Sequence, residues 1–234
     1  MKRLFDILMA LLGLALLLPA FLVVAVVIKL DSPGPVFYRQ ERVGRAGRPF
    51  RIHKFRTMCA DADRAGALLT VGQDARITHI GSFLRAHRLD ELPQLIDVLL
   101  GHMSLVGPRP EVPSYVALYP AGLREQVLSV RPGITDPASL AYRNEAAQLA
   151  AAADPEREYI DVNLPAKLAA SAAYAAKASL GTDLGVVVRS LKVLLTRWPH
   201  PCPSRPSSAP GTSWIVFWPA CARTVSRSRW PSMR

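Results

Sequence analysis

Leu89-Asp90-Glu91-Leu92-Pro93-Gln94 is the stretch that decides how this chain folds and which chemistry it supports. Two neighbouring carboxylates precede a proline, which is disfavoured inside a continuous helix, so a new helix or a kink is predicted near Asp90. Apolar side chains then recur at helical spacing and predict one face of an amphipathic helix, namely Leu92, Leu95, Ile96, Leu99, Leu100 and Met103. Asp90, Gln94 and Asp97 fall on the opposite face, and Gly101 is the expected terminator.

Arginines flank the two carboxylates in the sequence. Arg85 precedes them, and Arg109 follows the stretch by fifteen residues, in Gly107-Pro108-Arg109-Pro110. A guanidinium fork binds phosphate oxygens in bidentate fashion, and a carboxylate binds a divalent cation or attacks phosphorus. The simpler interpretation is that Asp90 caps the helix and Glu91 complements its dipole. The pair alone leaves both interpretations open, because a helix N-terminus is also an anion site.

The composition is that of a globular chain with a strong positive charge. Its 234 residues are 50% hydrophobic and 20% charged, which excludes a disordered chain and suggests one domain with extensions. A net charge of +11 favours anionic partners: lipid headgroups, nucleotide phosphates or nucleic acid. Nucleic acid is the weakest of these, because aromatic residues are few and no zinc-finger or RNA-recognition motif is present. The three cysteines lack metal-ligand spacing.

An apolar run from residue 4 to residue 30 follows Met1-Lys2-Arg3. The run is too long for a cleaved signal peptide and long enough for one spanning helix. Pro19 divides it into two arms, each about 18 Å long at helical rise and shorter than the ~30 Å hydrocarbon layer, which favours a re-entrant hairpin. Basic residues on both flanks also favour two cytoplasmic ends. From the residues alone, hairpin and span stay about equally supported.

A small β-hairpin is predicted after the apolar run. Residues 36–40 and 49–55 have the alternating character of strands, and Gly44-Arg45-Ala46-Gly47 joins them. Lys54 and Arg56 place positive charge at the end of the second strand. A short helix is expected from residue 61 to residue 69.

The C-terminal third is predicted to be helical and then irregular. Alanine-rich segments at 145–153 and 164–178 favour helices. Segment 183–195 predicts an amphipathic helix, either on the membrane surface or packed on the core, with Asp183 as its cap. Beyond Trp198 the chain is rich in Pro, Ser and Arg and lacks acids, which indicates a disordered basic tail or the product of a shifted reading frame.

Taken in order, the motifs resemble those of the bacterial sugar transferases, and specifically the monotopic polyprenyl-phosphate phosphoglycosyl transferases. The resemblance covers about residues 1–145. The matching motifs are Lys2-Arg3-x-Phe5-Asp6 with Pro19, Gly34-Pro35-Val36-Phe37-Tyr38-Arg39-Gln40, Arg42-x-Gly44, Lys54-Phe55-Arg56-Thr57-Met58, Arg76-Ile77-Thr78, Gly81-x-x-Leu84-Arg85, Leu89-Asp90-Glu91-Leu92-Pro93-Gln94-Leu95, Met103-Ser104-Leu105-Val106-Gly107-Pro108-Arg109-Pro110 and Arg131-Pro132-Gly133-Ile134-Thr135.

The resemblance implies a mostly helical α+β fold attached to the cytoplasmic face of the inner membrane. Residues 1–30 would form a re-entrant membrane helix-hairpin bent at Pro19, residues 31–198 a cytosolic catalytic domain, and residues 199–234 a basic Pro/Ser-rich tail. Amphipathic interfacial helices would add to the attachment. The partners implied are a UDP-sugar donor, a polyprenol phosphate acceptor and membrane lipids, with no nucleic acid.

The resemblance also implies a reaction, the first membrane step of glycan assembly. Asp90 would attack the sugar-linked phosphate, release UMP and hold the phosphosugar as an acyl phosphate, which the polyprenol phosphate then attacks. Asp90 and Glu91 would hold Mg²⁺, with Glu91 assisting the second step. The arginines matching the family's phosphate-binding positions are Arg85 and Arg109. Weaker candidates for phosphate binding are Lys54 and Arg56.

Two positions and one four-residue segment depart from the usual family pattern. Asp97 and His102 replace the more usual Asn and Asp, and Asp97 is expected to add negative charge near the metal. Residues 136–139 read Asp-Pro-Ala-Ser, as in one subgroup, which puts the donor sugar in doubt. These departures and the unusual tail motivate an alternative, a catalytically impaired membrane-bound assembly factor of the same fold.

Overall fold

A computed structural model of the chain describes residues 1–59, 62, 74–138 and 145–196. The helices are α1 (Lys2–Asp31), α2 (His79–Ala86), α3 (Gln94–Leu100), α4 (Pro113–Val116), α5 (Ala121–Leu128), α6 (Glu145–Ala151), α7 (Pro155–Glu158), α8 (Leu164–Ala176) and α9 (Leu180–Thr196). The strands are β1 (Phe37–Val43), β2 (Pro49–Phe55), β3 (Ser104–Val106) and β4 (Gly133–Thr135). Short 3-10 turns cover Arg45–Gly47 and Leu89–Glu91, and a π-helical turn covers Tyr159–Asn163. The mostly helical α+β fold is therefore confirmed, whereas the expected helix at 61–69 and the tail 199–234 lie outside the described residues.

Two small sheets hold the centre of the fold. β1 and β2 pair antiparallel, with Phe37 opposite Phe55 and Val43 opposite Pro49, so the predicted β-hairpin is confirmed. β3 and β4 pair in parallel, with Ser104 opposite Gly133. Phe50 and Ile52 of β2 join Val98 and Met103 in one core cluster.

The apolar N-terminal run forms one helix, α1, which continues through Pro19. At 30 residues the helix is about 45 Å long, so it is long and apolar enough to cross a membrane. The structure does not confirm the two-armed hairpin expected at Pro19. A proline removes one backbone donor and crowds the carbonyl of Ala15, while the neighbouring turns keep their hydrogen bonds, so the helix persists.

Polar side chains fasten the N-terminal end of α1 to the domain. Asp6 is buried inside the apolar run, and its carboxylate accepts hydrogen bonds from Ser104 Oγ at 2.9 Å and from the Leu105 amide. Lys2 Nζ lies 2.5 Å from Asp183 Oδ2, and Tyr174 donates its hydroxyl to the same carboxylate. Asp183 lies inside α9, which begins at Leu180, so its expected role as a cap is wrong. It is the buried anchor for the first turn of α1.

The C-terminal end of α1 is held by Arg56. Its Nη2 donates to the carbonyl oxygens of Ser32 at 2.6 Å and Ile28 at 3.3 Å, and its Nη1 donates to that of Pro33. The Ile28 carbonyl also accepts from the Ser32 amide, whereas the carbonyls of Ser32 and Pro33 lie beyond the last turn of the helix. A buried cation there satisfies the end of the helix and complements its dipole. Both ends of α1 are therefore attached to one domain.

Helix α3 turns its polar side, together with Val98, toward the core, while Leu95 and Leu99 pack against the same core cluster. Gln94 and Asp97 are buried, whereas Leu100 is 58% exposed. The partly buried leucines of α3 face α1, where Gly13 allows Leu95 a close approach. Helix α3 ends at Gly101 with φ 88°, as predicted. Because α1 covers much of its apolar side, α3 can present carboxylate and amide groups to the interior.

We expect Gly133→Ala to lower the free energy of unfolding by about 3 kcal/mol. A Cβ on Gly133 would overlap the backbone of Gly107, which approaches it across the β3–β4 pair. Gly122→Ala is the matched control, since a Cβ there meets open space in α5 and should stabilise by up to about 1 kcal/mol. Denaturant unfolding in mild detergent measures both, and equal stability of the two variants would contradict the close approach.

Candidate active site

The two carboxylates lie on a single turn that leads into α3. Arg88 adopts φ 57°, a left-handed conformation that reverses the chain after α2 and starts the 3-10 turn Leu89–Glu91. Asp90 and Glu91 are both 8% exposed. The following helix begins at Gln94 without a side-chain cap, so the interpretation of Asp90 as a cap is not supported.

Glu91 is neutralised by two cations from different parts of the fold. Lys54 Nζ at the end of β2 donates to Glu91 Oε1 at 2.8 Å. Arg109 donates from Nη2 to Oε1 at 2.5 Å and from Nη1 to Oε2 at 3.3 Å. Burial acts to raise the pKa of Glu91, but Arg109 and Lys54 outweigh it and hold this pKa well below its ordinary value. Glu91 is therefore a fixed anion whose two oxygens are occupied.

Asp90 is in the opposite situation. Its carboxylate accepts no hydrogen bond from any side chain or amide in the described part of the chain. Burial, and then the charge of Glu91, raise its pKa, while Lys54, Arg85 and Arg109 act against the rise. Asp90 is thus a buried carboxylate surrounded by positive charge but bonded to none of it. Such a group is available to a ligand or a reacting atom.

Arg85 and Arg109 lie on either side of the pair, as predicted, but in different states. Arg85 Nε donates to Thr57 Oγ1 at 3.0 Å, and its terminal nitrogens have no partner among the described residues. Arg109 directs both terminal nitrogens to Glu91, and its side chain is 29% exposed. Glu91 raises the pKa of Arg109, so this guanidinium stays charged. Of the two arginines, Arg85 has the free guanidinium edge.

Two expected features lie elsewhere. The guanidinium of Arg56 is committed to the C-terminus of α1, so the structure does not bring it to the carboxylates. Asp97 is fully buried and accepts a 2.8 Å hydrogen bond from the His53 amide, with His53 Nδ1 2.8 Å from its other oxygen. Its charge is taken up by β2 and is absent from the groups that shift the pKa of Asp90. Asp97 is therefore bonded to β2, and its effect on a metal at Asp90 stays a prediction.

A second ion pair supports the segment that carries Arg109. Arg42 Nη1 donates to the Pro110 carbonyl at 3.1 Å and lies 3.6 Å from Glu111 Oε2. Tyr159 donates its hydroxyl to Glu111 Oε1 at 2.9 Å. Sequence reasoning gave neither Arg42 nor Glu111 a role. The signals were present, because Arg42 belongs to a matching motif and Glu111 follows Arg109 by two residues.

A divalent cation fits Asp90 better than Glu91. The described residues contain no group of three or more His, Cys, Asp or Glu side chains placed to hold a metal. Mg²⁺ is commonly bound through one or two carboxylates, with water and substrate phosphates completing its shell. The Asp90 carboxylate is free to serve in this way, whereas both oxygens of Glu91 are occupied by cations.

An apolar helix joined to a domain with a cation-flanked carboxylate pair is typical of a membrane-associated protein that handles anions. The model of the bacterial sugar transferase family matches residues 1–197. The chain therefore belongs to the bacterial sugar transferase family, and the resemblance seen in its motifs is confirmed.

Named relatives come from several bacteria. The UDP-N-acetylgalactosamine-undecaprenyl-phosphate N-acetylgalactosaminephosphotransferase of Aeromonas hydrophila is 39% identical over 197 residues, which are 83% of this chain and 44% of the relative. The UDP-glucose:undecaprenyl-phosphate glucose-1-phosphate transferase of Caulobacter vibrioides is 38% identical over 200 residues, 83% of this chain and 70% of the relative. The exopolysaccharide production protein PSS of Rhizobium leguminosarum is 53% identical over 110 residues, 47% of this chain and 55% of the relative. The chain thus spans 44% to 70% of the length of these relatives.

The two carboxylates should affect stability in opposite directions. The pKa of Asp90 is raised in the fold. Asp90 therefore contributes favourably to folding stability when the pH is below its ordinary pKa of 3.8, and this contribution is lost as the pH rises through the raised pKa. Asp90→Asn should therefore stabilise the fold at neutral pH. The pKa of Glu91 is lowered in the fold. Its contribution to folding stability is therefore complete when the pH is above its ordinary pKa of 4.5, and is lost as the pH falls through the lowered pKa. Glu91→Gln should destabilise by about 3 kcal/mol at neutral pH, since it leaves two buried cations unpaired.

Thermal unfolding with a chelator present, at neutral pH and at a pH below 4.5, checks both signs. The deficit of Glu91→Gln should shrink in acid, and so should the gain of Asp90→Asn. Destabilisation by Asp90→Asn at neutral pH would show that its carboxylate is paired in solution.

Proposed function

We propose that this chain transfers a phosphosugar from a UDP-sugar to a polyprenol phosphate and releases UMP. The observation that carries the proposal is the contrast between two adjacent buried carboxylates: Glu91 is neutralised by Lys54 and Arg109, while Asp90 has no bonded partner among the described residues. A nucleophile must be ionised and unblocked, and only Asp90 has free oxygens. Family membership and the donors and acceptors in the relatives' names support the same reaction.

In the first step an Asp90 carboxylate oxygen attacks the phosphorus that bears the sugar. A bond from this oxygen to phosphorus forms, and the phosphorus–oxygen bond to the UMP phosphate breaks, so the electron pair leaves with UMP. The product is an acyl phosphate that links Asp90 to the phosphosugar. The surrounding cations suit this step, because Lys54, Arg85 and Arg109 all favour the ionised form of Asp90.

In the second step a phosphate oxygen of the polyprenol phosphate attacks the same phosphorus and restores the Asp90 carboxylate. Both attacking groups react in their ionised forms in this proposal, so neither step needs a general base. Arg85 is the main phosphate ligand in this proposal, since its terminal nitrogens are free among the described residues. Lys54 and Arg109 act chiefly by holding Glu91, and through Glu91 they fix the turn that presents Asp90.

Asp90 would also hold Mg²⁺, together with phosphate oxygens of the donor. A bound Mg²⁺ supplies charge neutralisation at the diphosphate. Glu91 is not a ligand in this proposal, because releasing either of its oxygens would break a buried ion pair.

We propose further that α1 bends at Pro19 in the inner membrane, so that it enters from the cytoplasmic side and returns to that side. Lys2 and Asp6 at one end, and the carbonyl of Ser32 at the other, are bonded to the same domain. A polar domain lies on one side of a bilayer, so attachment at both ends supports a re-entrant path over a span. The exposed apolar side chains Leu180, Leu184 and Val188 of α9 recur every fourth residue and support an interfacial position for that helix.

The catalytically impaired assembly factor is the less favoured function. Asp97 and His102 motivated it, but the Asp97 carboxylate is bonded to His53 and does not enter the carboxylate cluster. The tail that also motivated it lies outside the described residues. A purified chain that binds polyprenol phosphate but never releases UMP would establish this alternative.

We expect Asp90→Asn to reduce UMP release on the order of a thousand-fold or more, because the attacking oxygen is lost. UMP is measured in membranes supplied with UDP-sugar, Mg²⁺ and polyprenol phosphate, across a panel of UDP-sugars. With the acceptor omitted, mass spectrometry of the wild-type chain should show the phosphosugar on the peptide that contains Asp90. Asp161→Asn removes an exposed carboxylate and should leave the rate unchanged. Full UMP release by Asp90→Asn with acceptor present would refute the nucleophile assignment.

Membrane topology is tested by cysteine accessibility. In a chain with serine at Cys59, Cys202 and Cys221, we expect Lys2→Cys and Arg39→Cys to resist a membrane-impermeant maleimide applied from the periplasmic side. Both should react when it is applied to inverted membrane vesicles. Reaction from opposite sides would mean that α1 spans the membrane.

A further inference from the structure

A basic cavity lies apart from the two carboxylates, at the other end of α3. It has a volume of about 440 Å³, and its charged lining consists of Arg45, Arg48, Arg131 and His102. The connection between β1 and β2 supplies Arg45 and Arg48, and Arg131 comes from the segment before β4. Phe50 and Gly101 form part of the wall. Neither the proposed reaction nor the candidate active site uses these side chains.

The arginines of this cavity have no acidic partner. Arg45 Nε donates to the Ser129 carbonyl at 2.9 Å, and Arg131 Nε donates to the Gly101 carbonyl at 3.0 Å. Their terminal nitrogens bond to nothing else in the described part of the chain, where no carboxylate lies within ion-pair distance of Arg45, Arg48 or Arg131. Burial, then Arg3 and then Arg45 lower the pKa of Arg131. Like charges gathered in this way repel each other unless an anion lies between them.

Apolar surface borders the cavity on the side of α1. Arg3, in the first turn of α1, donates from Nη2 to the Leu99 carbonyl at 3.2 Å, next to the cavity wall at Gly101. The adjacent Leu4 is 62% exposed and Leu100 is 58% exposed. Leu100 adjoins Gly101 of the cavity wall in the chain, and Leu4 adjoins Arg3, which suits a ligand with a charged head and an apolar tail.

We propose that this cavity binds the phosphate headgroup of an anionic phospholipid, with its acyl chains lying against Leu4 and Leu100. Guanidinium groups bind phosphate by charge-assisted hydrogen bonds, and the number of arginines favours a headgroup with net negative charge over a zwitterionic one. The polyprenol phosphate is a poorer fit, because its phosphate must reach Asp90. Helix α3 alone separates the two regions by about 10 Å.

A matched pair of double variants tests the proposal. Arg45→Gln with Arg48→Gln removes two arginines of the cavity and one hydrogen bond to a carbonyl, that of Ser129. Arg39→Gln with Arg51→Gln removes two exposed arginines of the same β-hairpin and also one hydrogen bond to a carbonyl, from Arg39 to Arg51. The full-length chain in neutral detergent is titrated calorimetrically with short-chain phosphatidylglycerol. Phosphatidylcholine of equal chain length, glycerol phosphate and polyprenol phosphate serve as comparison ligands.

We expect the wild-type chain to prefer phosphatidylglycerol to phosphatidylcholine and to glycerol phosphate. The cavity variant should bind phosphatidylglycerol at least roughly ten-fold more weakly, since charge-assisted hydrogen bonds are lost. The affinity of the control variant for phosphatidylglycerol should stay within about two-fold of the wild-type value, because neutral detergent offers no anionic surface that would attract its arginines.

Three results would overturn the proposal. Equal losses of phosphatidylglycerol affinity in the two variants would mean that the lipid is attracted by the overall positive charge of the chain and not by the cavity. Equal affinity for glycerol phosphate and phosphatidylglycerol would mean a site for free phosphate. Loss of polyprenol phosphate binding in the cavity variant alone would assign the cavity to the acceptor. Because every readout is binding, failure of the proposed transfer reaction would leave these results unaffected.

Discussion

The buried ion triad of Glu91 with Lys54 and Arg109 is the interaction on which the rest of the site depends. It joins the end of β2, the turn that follows α2, and the loop after β3, three segments that are distant in sequence. A buried carboxylate is costly unless cations and hydrogen bonds satisfy it, so these segments have one favourable arrangement. The close approach of Gly107 and Gly133 and the pairing of Arg42 with Glu111 keep Arg109 in place.

The triad makes two adjacent carboxylates chemically unequal. Glu91 takes the direct contacts, so the same cations act on Asp90 only across space. Asp90 is thus exposed to a positive field while its oxygens stay free. This division does not require different residue types, because burial and partners alone shift two carboxylates in opposite directions. It accounts for one paired and one unpaired carboxylate on the same turn, as the proposed nucleophilic role of Asp90 requires.

The same strand end that serves the site also holds the apolar helix. At the end of β2, Lys54 donates a hydrogen bond to Glu91. Just beyond the strand, Arg56 donates hydrogen bonds to the end of α1, and Thr57 accepts a hydrogen bond from Arg85. Lys54, Arg56 and Thr57 lie within four consecutive residues, so one short segment serves both the site and the helix end. The position of α1 is therefore coupled through residues 54–57 to the position of the carboxylate cluster, as the proposed transfer between a lipid and a water-soluble donor requires.

The sequence by itself determined the local features of this protein. Periodicity and turn residues predicted the long apolar helix, the β-hairpin, and the end of α3 at Gly101, because these depend on neighbouring residues. The ordered motifs identified the family and brought Asp90, Glu91, Arg85 and Arg109 to attention. Only the tertiary structure decided which carboxylate is neutralised. It also decided that Arg56 binds the end of α1 rather than a phosphate, and that the Asp97 carboxylate is bonded to His53. Those outcomes depend on contacts between residues far apart in the chain, and the burial and charge that set them exist only once the chain has folded.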